Sequence, residues 1–477
     1  MAHPQHTAPA ITPDGEITVV DRAPFRERLS WALYDFSNTI FSMNVVTLYA
    51  SVWLIHDLGA SSTLYASASA IASVMVIAAI PVLGAVSDAR RRRKPWVIGF
   101  TVLSCVATAA IGVFGVKTLP LVGAGVSGGG PEGSVHLGGG ALFWVMAAYI
   151  LANFAYQAAQ PFYNAMMPEL VPVSEQGRLS GFGTALGYVG SIVGVLLVMP
   201  FFTGGLPGIH FSAGTMSLLH TLFPFTSTGG RVATFVPTAL LFFLFSVPFV
   251  LFCRDHFPVR DGGAIPWKES FREVGHTIRD AKKHPGLLRF ILTSFLYQDA
   301  IGTIVGFMTV YAVEAVGFTK GTEITLFLVL TVPAIIGSYI AGVLVDRIGA
   351  RRTLSITLVG WVVFLALMIS LPGKTGFWIA GLLIGLVFGG VPAAERPVLL
   401  NLIPDVEAGR YFSLMLLSSR AAAIAGPLIW ALTVDGLTSS FGKAIAYRCA
   451  VSVIALMFVA AAWLLRKVPD HRPLHAA

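Results

Sequence analysis

The stretch "SWALYDFSNTIFSMNVVTLYASVWL" (residues 30–54) is long and apolar enough to cross a bilayer, yet Asp35 and Asn38 lie in its first two turns. A span needs about 20 mostly apolar residues. A charge at the centre of a spanning helix costs about 2.5–3.5 kcal/mol on insertion scales. We therefore interpret this stretch as a spanning helix whose polar face lies against protein or water and not against lipid.

The whole chain has the composition of a polytopic membrane protein. Of its 477 residues, 55% are hydrophobic and 12% are charged, and the mean hydropathy is +0.76. A soluble chain of this length carries about 25% charged residues. The three cysteines lie in apolar runs without metal-ligand spacing, so we predict no metal, no cofactor and no disulfide framework. Residues 1–28 lack the apolar segment of a cleavable signal peptide, so we expect the first apolar run to be a true span.

Hydropathy predicts twelve spans in two groups of six, and thus an all-α membrane protein. The spans are residues 29–55, 62–86, 96–116, 141–167, 178–202 and 234–253, then 287–313, 323–345, 353–371, 376–399, 411–433 and 444–465. The predicted regions are a tail (1–28), a six-helix bundle (29–253), a linker (254–286), a second six-helix bundle (287–466) and a tail (467–477). In the linker, apolar residues from Trp267 to Ile278 repeat at helical spacing, which is typical of an amphipathic helix, with a plain connector as the alternative.

The basic residues set the expected orientation. If the N-terminus is cytoplasmic, 24 of the 32 Lys and Arg residues fall in cytoplasmic segments and five fall in outer ones. This bias predicts that both termini and the linker are cytoplasmic, in a multi-pass protein of the inner (plasma) membrane. It also accounts for the net charge of +8 without a nucleic-acid partner.

The two groups of spans repeat one another. Residues 84–93 read "GAVSDARRRR" and residues 342–352 read "GVLVDRIGARR", each with Gly four residues before Asp and a basic cluster after it. The first spans of the two groups also correspond, as "YDFSNTI" (34–40) and "YQDAIGTI" (297–304). Such internal repeats are typical of secondary transporters.

These loops resemble the signature of the major facilitator superfamily, Gly-x-x-x-Asp-Arg/Lys-x-Gly-Arg/Lys-Arg/Lys. Five further motifs, "WALYDFSN", "FYNAMMPEL", "GRLSGFGTALGYVGS", "FLYQDAIGT" and "SSRAAAIAGP", are similar to those of the autophagy-related vacuolar amino-acid effluxer and its bacterial relatives. The resemblance implies the major facilitator fold of twelve transmembrane helices in two pseudo-repeats. In that fold helices one, four, seven and ten line a central cavity.

The resemblance also implies a gate between the halves. In the superfamily's geometry Asp88 meets the N-terminus of the eleventh helix, near Arg410, where the helix dipole favours an anion. A simple helix cap is the alternative role. The predicted gating residues are Gly84, Asp88, Arg92, Gly342, Asp346 and Arg347.

Polar residues concentrate on the four helices that would line the cavity. On the fourth span Asn153, Gln157, Gln160 and Asn164 form one face, which either bonds to neighbouring helices or lines the cavity. Asp35 and Asn38, Gln298 and Asp299, and Glu395 with Arg396 lie on the other three. The predicted substrate-binding or coupling residues are Asp35, Asn38, Asn153, Gln157, Asn164, Gln298, Asp299, Arg396 and Arg420.

Their roles follow from depth and charge. Asp299 lies about twelve residues into its span, near the midplane at 1.5 Å per residue, so it is the better candidate for a coupling proton. Asp35 is shallower and is expected to stay ionised and to pair with an arginine or with the solute's ammonium group. Arg396 or Arg420 would oppose a carboxylate. The alternative is a set of permanent ion pairs that fix helix packing.

We therefore predict a secondary active or facilitative transporter of a small polar organic solute, with amino acids suggested by the resemblance. It would work by alternating access as a monomer in the lipid bilayer, with protons as candidate coupling ions. An enzyme is not expected, because the histidines lie in tails, loops or span ends and no catalytic motif is present. The alternatives are a non-transporting sensor on a transporter fold and a transporter of drugs or sugars.

Overall fold

The computed structural model describes residues 22–58, 61–118, 139–206, 208–257, 279–318, 323–371, 373–422 and 425–470. The predicted amphipathic helix of the linker lies outside these residues. The boundaries of the five predicted regions stay predictions.

Twelve long helices among the described residues occur in the two groups that hydropathy predicts. The first group is α1 (Phe25–Phe41), α2 (Ser62–Arg90), α3 (Lys94–Thr118), α4 (Gly139–Ala165), α5 (Gln176–Val198) and α6 (Phe235–Phe252). The second group is α7 (Leu287–Tyr311), α8 (Glu323–Ile348), α9 (Ala350–Ser370), α10 (Gly373–Leu400), α11 in two segments (Ala408–Ala422 and Ala425–Phe441) and α12 (Lys443–Leu465). In the described part of the chain eleven helical stretches are long and apolar enough to cross a membrane, and α2 adds a shorter apolar one, Thr63–Ala79.

The first helix of each half continues beyond its α-helical part as a π-helix. After α1 the π-helical segments are Ser42–Tyr49 and Trp53–Asp57, and after α7 the segment is Ala312–Val316. A π-helix is rare and widens the turn to an i→i+5 hydrogen bond. The two halves thus share this irregularity as well as their sequence repeat.

The segment between α5 and α6 holds the small amount of β-structure among the described residues. Strands β1 (Gly205–Leu206) and β2 (Ile209–His210) pair antiparallel, and a short helix, Ala213–Leu222, follows. The hydroxyl of Ser212 caps that helix by accepting a hydrogen bond from Thr215 N at 3.2 Å.

The halves meet along α5, which packs against α8 and α10, and along α11, which packs against α2 and α4. Glycines let these helices approach closely. A Cβ atom built on Gly181 of α5 would lie 2.7 Å from the Cα atom of Gly342 of α8, so the two backbones touch. The sequence repeat therefore corresponds to a tight helix contact between the halves.

A buried apolar cluster joins the halves at the end of the bundle where α1 begins and α12 ends, which we call the terminal end. It contains Trp31, Tyr163 and Met167 of the first half together with Leu399 and Tyr411 of the second. All five side chains are fully buried, so we interpret this conformation as closed at the terminal end.

Candidate functional site

A cavity of about 160 Å³ lies between α4, α7, α10 and α11, and we call it the central cavity. Each of the four helices contributes to its wall. The lining residues are Gln160, Pro161 and Asn164 of α4, Gln298 of α7, Glu395 of α10, and Phe412, Met415, Leu416 and Ser419 of α11. Amide and carboxylate groups from both halves thus face one small space.

Glu395 is the charged residue among those lining groups. Its Oε1 atom accepts hydrogen bonds from the hydroxyls of Ser294 at 2.8 Å and Tyr297 at 2.6 Å. Gln298 Nε2 donates to both carboxylate oxygens, at 3.0 and 2.9 Å. The three donors lie at i, i+3 and i+4 on α7 and therefore share one face. Glu395 is only 6% exposed, and its carboxylate makes no ion pair within the described part of the chain.

Arg396, the next residue on α10, points to the other half instead. Its Nη1 and Nη2 atoms donate to Asp35 Oδ2 at 2.9 Å and Oδ1 at 3.2 Å, so the pair is bidentate. The guanidinium also lies 5.7 Å from the ring centroids of both Trp31 and Tyr163, which stack on each other. Both members of the ion pair are buried. Arg396, rather than Arg420, is therefore the partner of Asp35, and the pair joins α1 to α10 outside the central cavity.

Asp299 lies apart from the central cavity, against the second segment of α11. Its Oδ2 atom accepts a hydrogen bond from Gly426 N at 2.8 Å, and its Oδ1 atom has no hydrogen-bond partner in the described structure. It is 1% exposed. The predicted midplane carboxylate is thus fully buried and held by one backbone amide.

The predicted amide face of α4 divides into two parts. Gln157 Nε2 donates to Asn153 Oδ1 at 2.9 Å, so this pair bonds within its own helix. Gln160 and Asn164 line the central cavity, and Asn164 Oδ1 has no partner among the described residues. The oxygen of Asn38 is likewise unpartnered there.

Arg420 lies on α11 one turn beyond the cavity-lining Leu416. Its Nε atom is buried and has no hydrogen-bond partner among the described residues. A buried guanidinium nitrogen without an acceptor is costly, and Arg420 is not among the residues that line the central cavity.

Asp88 lies at the N-terminus of α11. Its Oδ2 atom accepts a hydrogen bond from Arg410 N at 2.7 Å, and its Oδ1 atom accepts one from Gly409 N at 3.2 Å. Arg93 Nη2 donates both to Asp88 Oδ1 at 3.3 Å and to Asp405 O at 3.0 Å. The first repeat loop therefore joins the halves through backbone amides and one buried arginine.

Asp346 occupies the corresponding place in the second half. It accepts hydrogen bonds from Gly177 N at 2.9 Å and Arg178 N at 3.1 Å, at the N-terminus of α5. Arg178 Nε lies 3.3 Å from Asp346 Oδ2, but its side chain is 56% exposed. The two aspartates thus make the same contact with a helix N-terminus, and their basic neighbours differ in burial.

The basic residues of the gate differ from those that the sequence pattern indicates. The side chains of Arg92 and Arg347 are exposed, and Arg93 and Arg178 contact the two aspartates instead. Within a run of four arginines and a lysine, residue spacing alone cannot tell which side chain turns inward. The gating roles stay predictions.

Sequence reasoning also missed two buried carboxylates at the terminal end, Glu27 and Glu169. They are 5% and 4% exposed and accept hydrogen bonds from residues 254–257 and from Arg93. The available signal was Glu169 inside the motif "FYNAMMPEL", where an acidic residue follows the fourth span.

The sequence matches the family described as "Vacuole effluxer Atg22 like" over residues 55–472. It is 25% identical over 454 residues to the uncharacterized MFS-type transporter YxiO of Bacillus subtilis (strain 168), which covers 93% of this chain and 95% of that protein. It is 27% identical over 185 residues to autophagy-related protein 22 of Kluyveromyces lactis, or 35% of this chain and 37% of that one. It is 24% identical over 313 residues to multidrug resistance protein MdtG of Yersinia enterocolitica, or 65% and 67% of the two chains.

Solved transporter structures have the same fold. The outward conformation of the major facilitator transporter FucP superposes with a TM-score of 0.62 at 14% identity, over 93% of this chain and 98% of that one. The proton:xylose symporter XylE superposes with a TM-score of 0.64 at 14% identity, over 94% and 96%. These likenesses confirm the predicted major facilitator fold of twelve helices. The chain therefore belongs to the Atg22-like vacuole effluxer family and is a transporter of the major facilitator type, not an enzyme.

Proposed function

We propose that the protein moves a small polar organic solute by alternating access and that the solute binds in the central cavity against Glu395. The observation that carries the proposal is a buried carboxylate that faces amides of both halves and makes no ion pair among the described residues. Neutral hydrogen-bond donors alone hold this carboxylate, whereas buried charges are usually paired as well. A positive group of the solute would complete the pairing.

The size of the central cavity supports a small solute. At about 160 Å³ it is smaller than the roughly 300–1,000 Å³ of pockets that take drug-sized ligands. Its wall offers Asn164, Gln298 and Glu395 as hydrogen-bonding groups. A zwitterionic amino acid fits this chemistry, with its ammonium group on Glu395 and its carboxylate toward Arg420.

Asp299 is the proposed site of a coupling proton. Its Oδ1 atom is buried without a hydrogen-bond partner, and no described basic side chain makes an ion pair with Asp299. Asp299→Asn is expected to abolish uphill transport driven by a proton gradient and to spare counterflow exchange, because exchange needs no net proton movement. If Asp299→Asn reduces uphill transport and counterflow exchange equally, Asp299 is not the site of the coupling proton.

In the proposed orientation the protein lies in the plasma membrane with both termini in the cytoplasm. Single cysteines in place of Gly130 and Gly275 should behave oppositely toward an impermeant thiol reagent added to intact cells. Labelling of position 275 in intact cells would show that the predicted orientation is wrong.

A second candidate is transport of apolar compounds. It is favoured by an apolar pocket of about 130 Å³ between α7, α8, α9 and α10, lined by Ile304, Leu330, Trp361 and Phe388 among others. This pocket lies farther from the terminal end than the central cavity, since Phe388 precedes Glu395 by two turns of α10.

A thermal-shift screen followed by counterflow in liposomes separates the candidates. Purified protein is screened against amino acids, sugars and amphipathic drugs, and each stabilising compound is tested for exchange, with protein-free liposomes as the control. The proposal predicts stabilisation and exchange by amino acids. Stabilisation by drugs alone would favour the second candidate, and binding without exchange would favour a sensor.

A further inference from the structure

Residues 254–257 follow α6 at the terminal end and form a short non-helical segment, which we call the strap. Its backbone binds two buried carboxylates of the first half. Arg254 N donates to Glu27 Oε1 at 2.7 Å, and His256 N and Phe257 N donate to Glu169 Oε2 at 2.7 and 3.2 Å. The strap thus ties the first turn of α1 to the residues that follow α4.

Arg93 connects the strap to the gate. Its Nη1 atom donates to Glu169 Oε1 at 3.0 Å, and its guanidinium lies 5.2 Å from the ring centroid of Phe257. The carboxylate of Asp255 accepts hydrogen bonds from Arg93 N and Lys94 N, both at 3.0 Å. The strap therefore contacts both the backbone and the side chain of Arg93.

The same arginine reaches across to the second half. Its Nη2 atom donates to Asp405 O, just before α11, and to Asp88, which itself binds the α11 N-terminus. Arg93 is 1% exposed, so few other positions are open to it. The position of this one side chain links the strap to the closed gate.

His256 is the part of the strap that changes charge near neutral pH. Its Nε2 atom lies 2.8 Å from Glu27 Oε1, and its side chain is 29% exposed. The facing charges are Glu27 and Glu169, which favour the imidazolium, and Arg254, which opposes it. The hydrogen bond to Glu27 raises the pKa of His256 above its ordinary value, against a smaller opposing effect of burial.

We infer that His256 and the strap act as a pH-dependent clamp that positions Arg93 and so stabilises the closed gate. The inference rests on the alternating-access part of the proposed function and not on the identity of the solute. With His256 protonated, an ion pair holds the strap on Glu27. Without the proton, the neutral imidazole can still donate a hydrogen bond to Glu27, but the attraction between two opposite charges is lost.

The sign of the pH effect follows from the raised pKa. A histidine whose pKa is raised in one conformation stabilises that conformation fully at pH values below its ordinary pKa of about 6.5. The stabilisation is lost as the pH rises through the raised pKa. Because the clamp is proposed to form in the closed state, the closed gate is favoured at acidic pH, and opening at the terminal end increases above neutrality.

Double electron–electron resonance measures the distance between a spin label on each half, and it tests the clamp without any solute. Spin labels on cysteines at Ser174 and Lys467, exposed positions in the first and second halves, report opening at the terminal end. The native Cys105, Cys253 and Cys449 are replaced by alanine, and the protein is held in nanodiscs. Between pH 6 and pH 8.5 the open-to-closed ratio is expected to rise about fivefold, within the usual range of coupling between sites.

The variants identify the residue responsible. His256→Gln should remove the pH dependence and leave the ratio near the high-pH value, while Glu27→Gln should move the midpoint to lower pH. His284→Gln is the matched control, because His284 is a similarly exposed histidine at the same end, 3.9 Å from Glu407. The clamp is overturned if the ratio of the parent protein does not depend on pH, if His256→Gln keeps the parent midpoint, or if the dependence disappears in His284→Gln. The spin-label measurement contains no solute, so it tests the clamp even if the transport assay shows that the proposed solute is wrong.

Discussion

The charged groups that join the two halves are ion-paired or bound to helix N-termini, whereas the carboxylate that faces the central cavity is not ion-paired among the described residues. Asp35 and Arg396 satisfy each other, and Asp88 and Asp346 each bind the N-terminus of a helix in the other half. In the cavity, one residue from Arg396 along α10, Glu395 is held by neutral donors only. We interpret the paired charges as stabilising one conformation, and the proposed function assigns the carboxylate without an ion pair to the solute.

The largest expected effect comes from breaking the buried ion pair. Arg396→Met leaves Asp35 buried without a cation, and removal of one partner of a buried pair costs about 3–5 kcal/mol in the free energy of unfolding. Chemical denaturation of purified protein measures the loss. Arg347→Met, at an exposed arginine, is the control and should be close to neutral.

The double variant Asp35→Asn/Arg396→Gln sharpens this test. If the pair serves only to join the helices, the double variant should regain most of the stability lost in Arg396→Met, because no charge is then left unpaired. A double variant as unstable as the single one would contradict the assignment of Asp35 and Arg396 as one ion pair.

An intermediate effect is expected at the first gate loop. Asp88→Asn weakens contacts between the halves that the gate hypothesis expects to break when the terminal end opens, and only such differential contacts shift a conformational equilibrium. The open-to-closed ratio should rise about tenfold, a coupling of usual size, and transport should slow more than solute binding weakens. Spin-label distances give the ratio. An unchanged open-to-closed ratio would show that Asp88 acts only as a helix cap.

The smallest effect is expected at the second gate loop. Asp346→Asn removes the same amide contacts, but its arginine neighbour is Arg178, whose side chain is more than half exposed, and exposed ion pairs contribute little. The ratio should rise about fivefold, at the lower end of the usual coupling between sites and less than for Asp88→Asn under identical conditions. A larger effect than at Asp88 would show that burial of Arg93 does not strengthen the first loop.

Much of this architecture could be predicted from the sequence. Twelve apolar stretches and two Gly-x-x-x-Asp loops are periodic signals, and they led to the fold. The resemblance to the major facilitator superfamily led to the place of Asp88 at α11. The polar residues of α4, α7 and α10 were also recognisable, since charges and amides are rare in spans. These signals depend only on spacing along one helix or between repeated segments.

The pairing of the charged residues could not be predicted in the same way. Glu395 and Arg396 are adjacent in sequence, but a helix turns about 100° per residue, so one side chain faces α7 and the other faces α1. Arg420 was as reasonable a partner for Asp35 as Arg396 until the rotation of α10 and α11 was known. Arg93 and Glu169 likewise meet only through tertiary packing.

The central claim is that the solute binds at Glu395 and not at the neighbouring Asp35–Arg396 pair. The most direct test is the equilibrium binding of a solute found in the screen to the parent protein, Glu395→Gln and Asp35→Asn/Arg396→Gln. Loss of a hydrogen bond to a charged group predicts that Kd rises about tenfold to a hundredfold in Glu395→Gln, with a melting temperature close to that of the parent. The double variant should bind within a few-fold of the parent. Unchanged binding in Glu395→Gln, together with lost binding in a folded double variant, would contradict the account and return the site to Asp35 and Arg396.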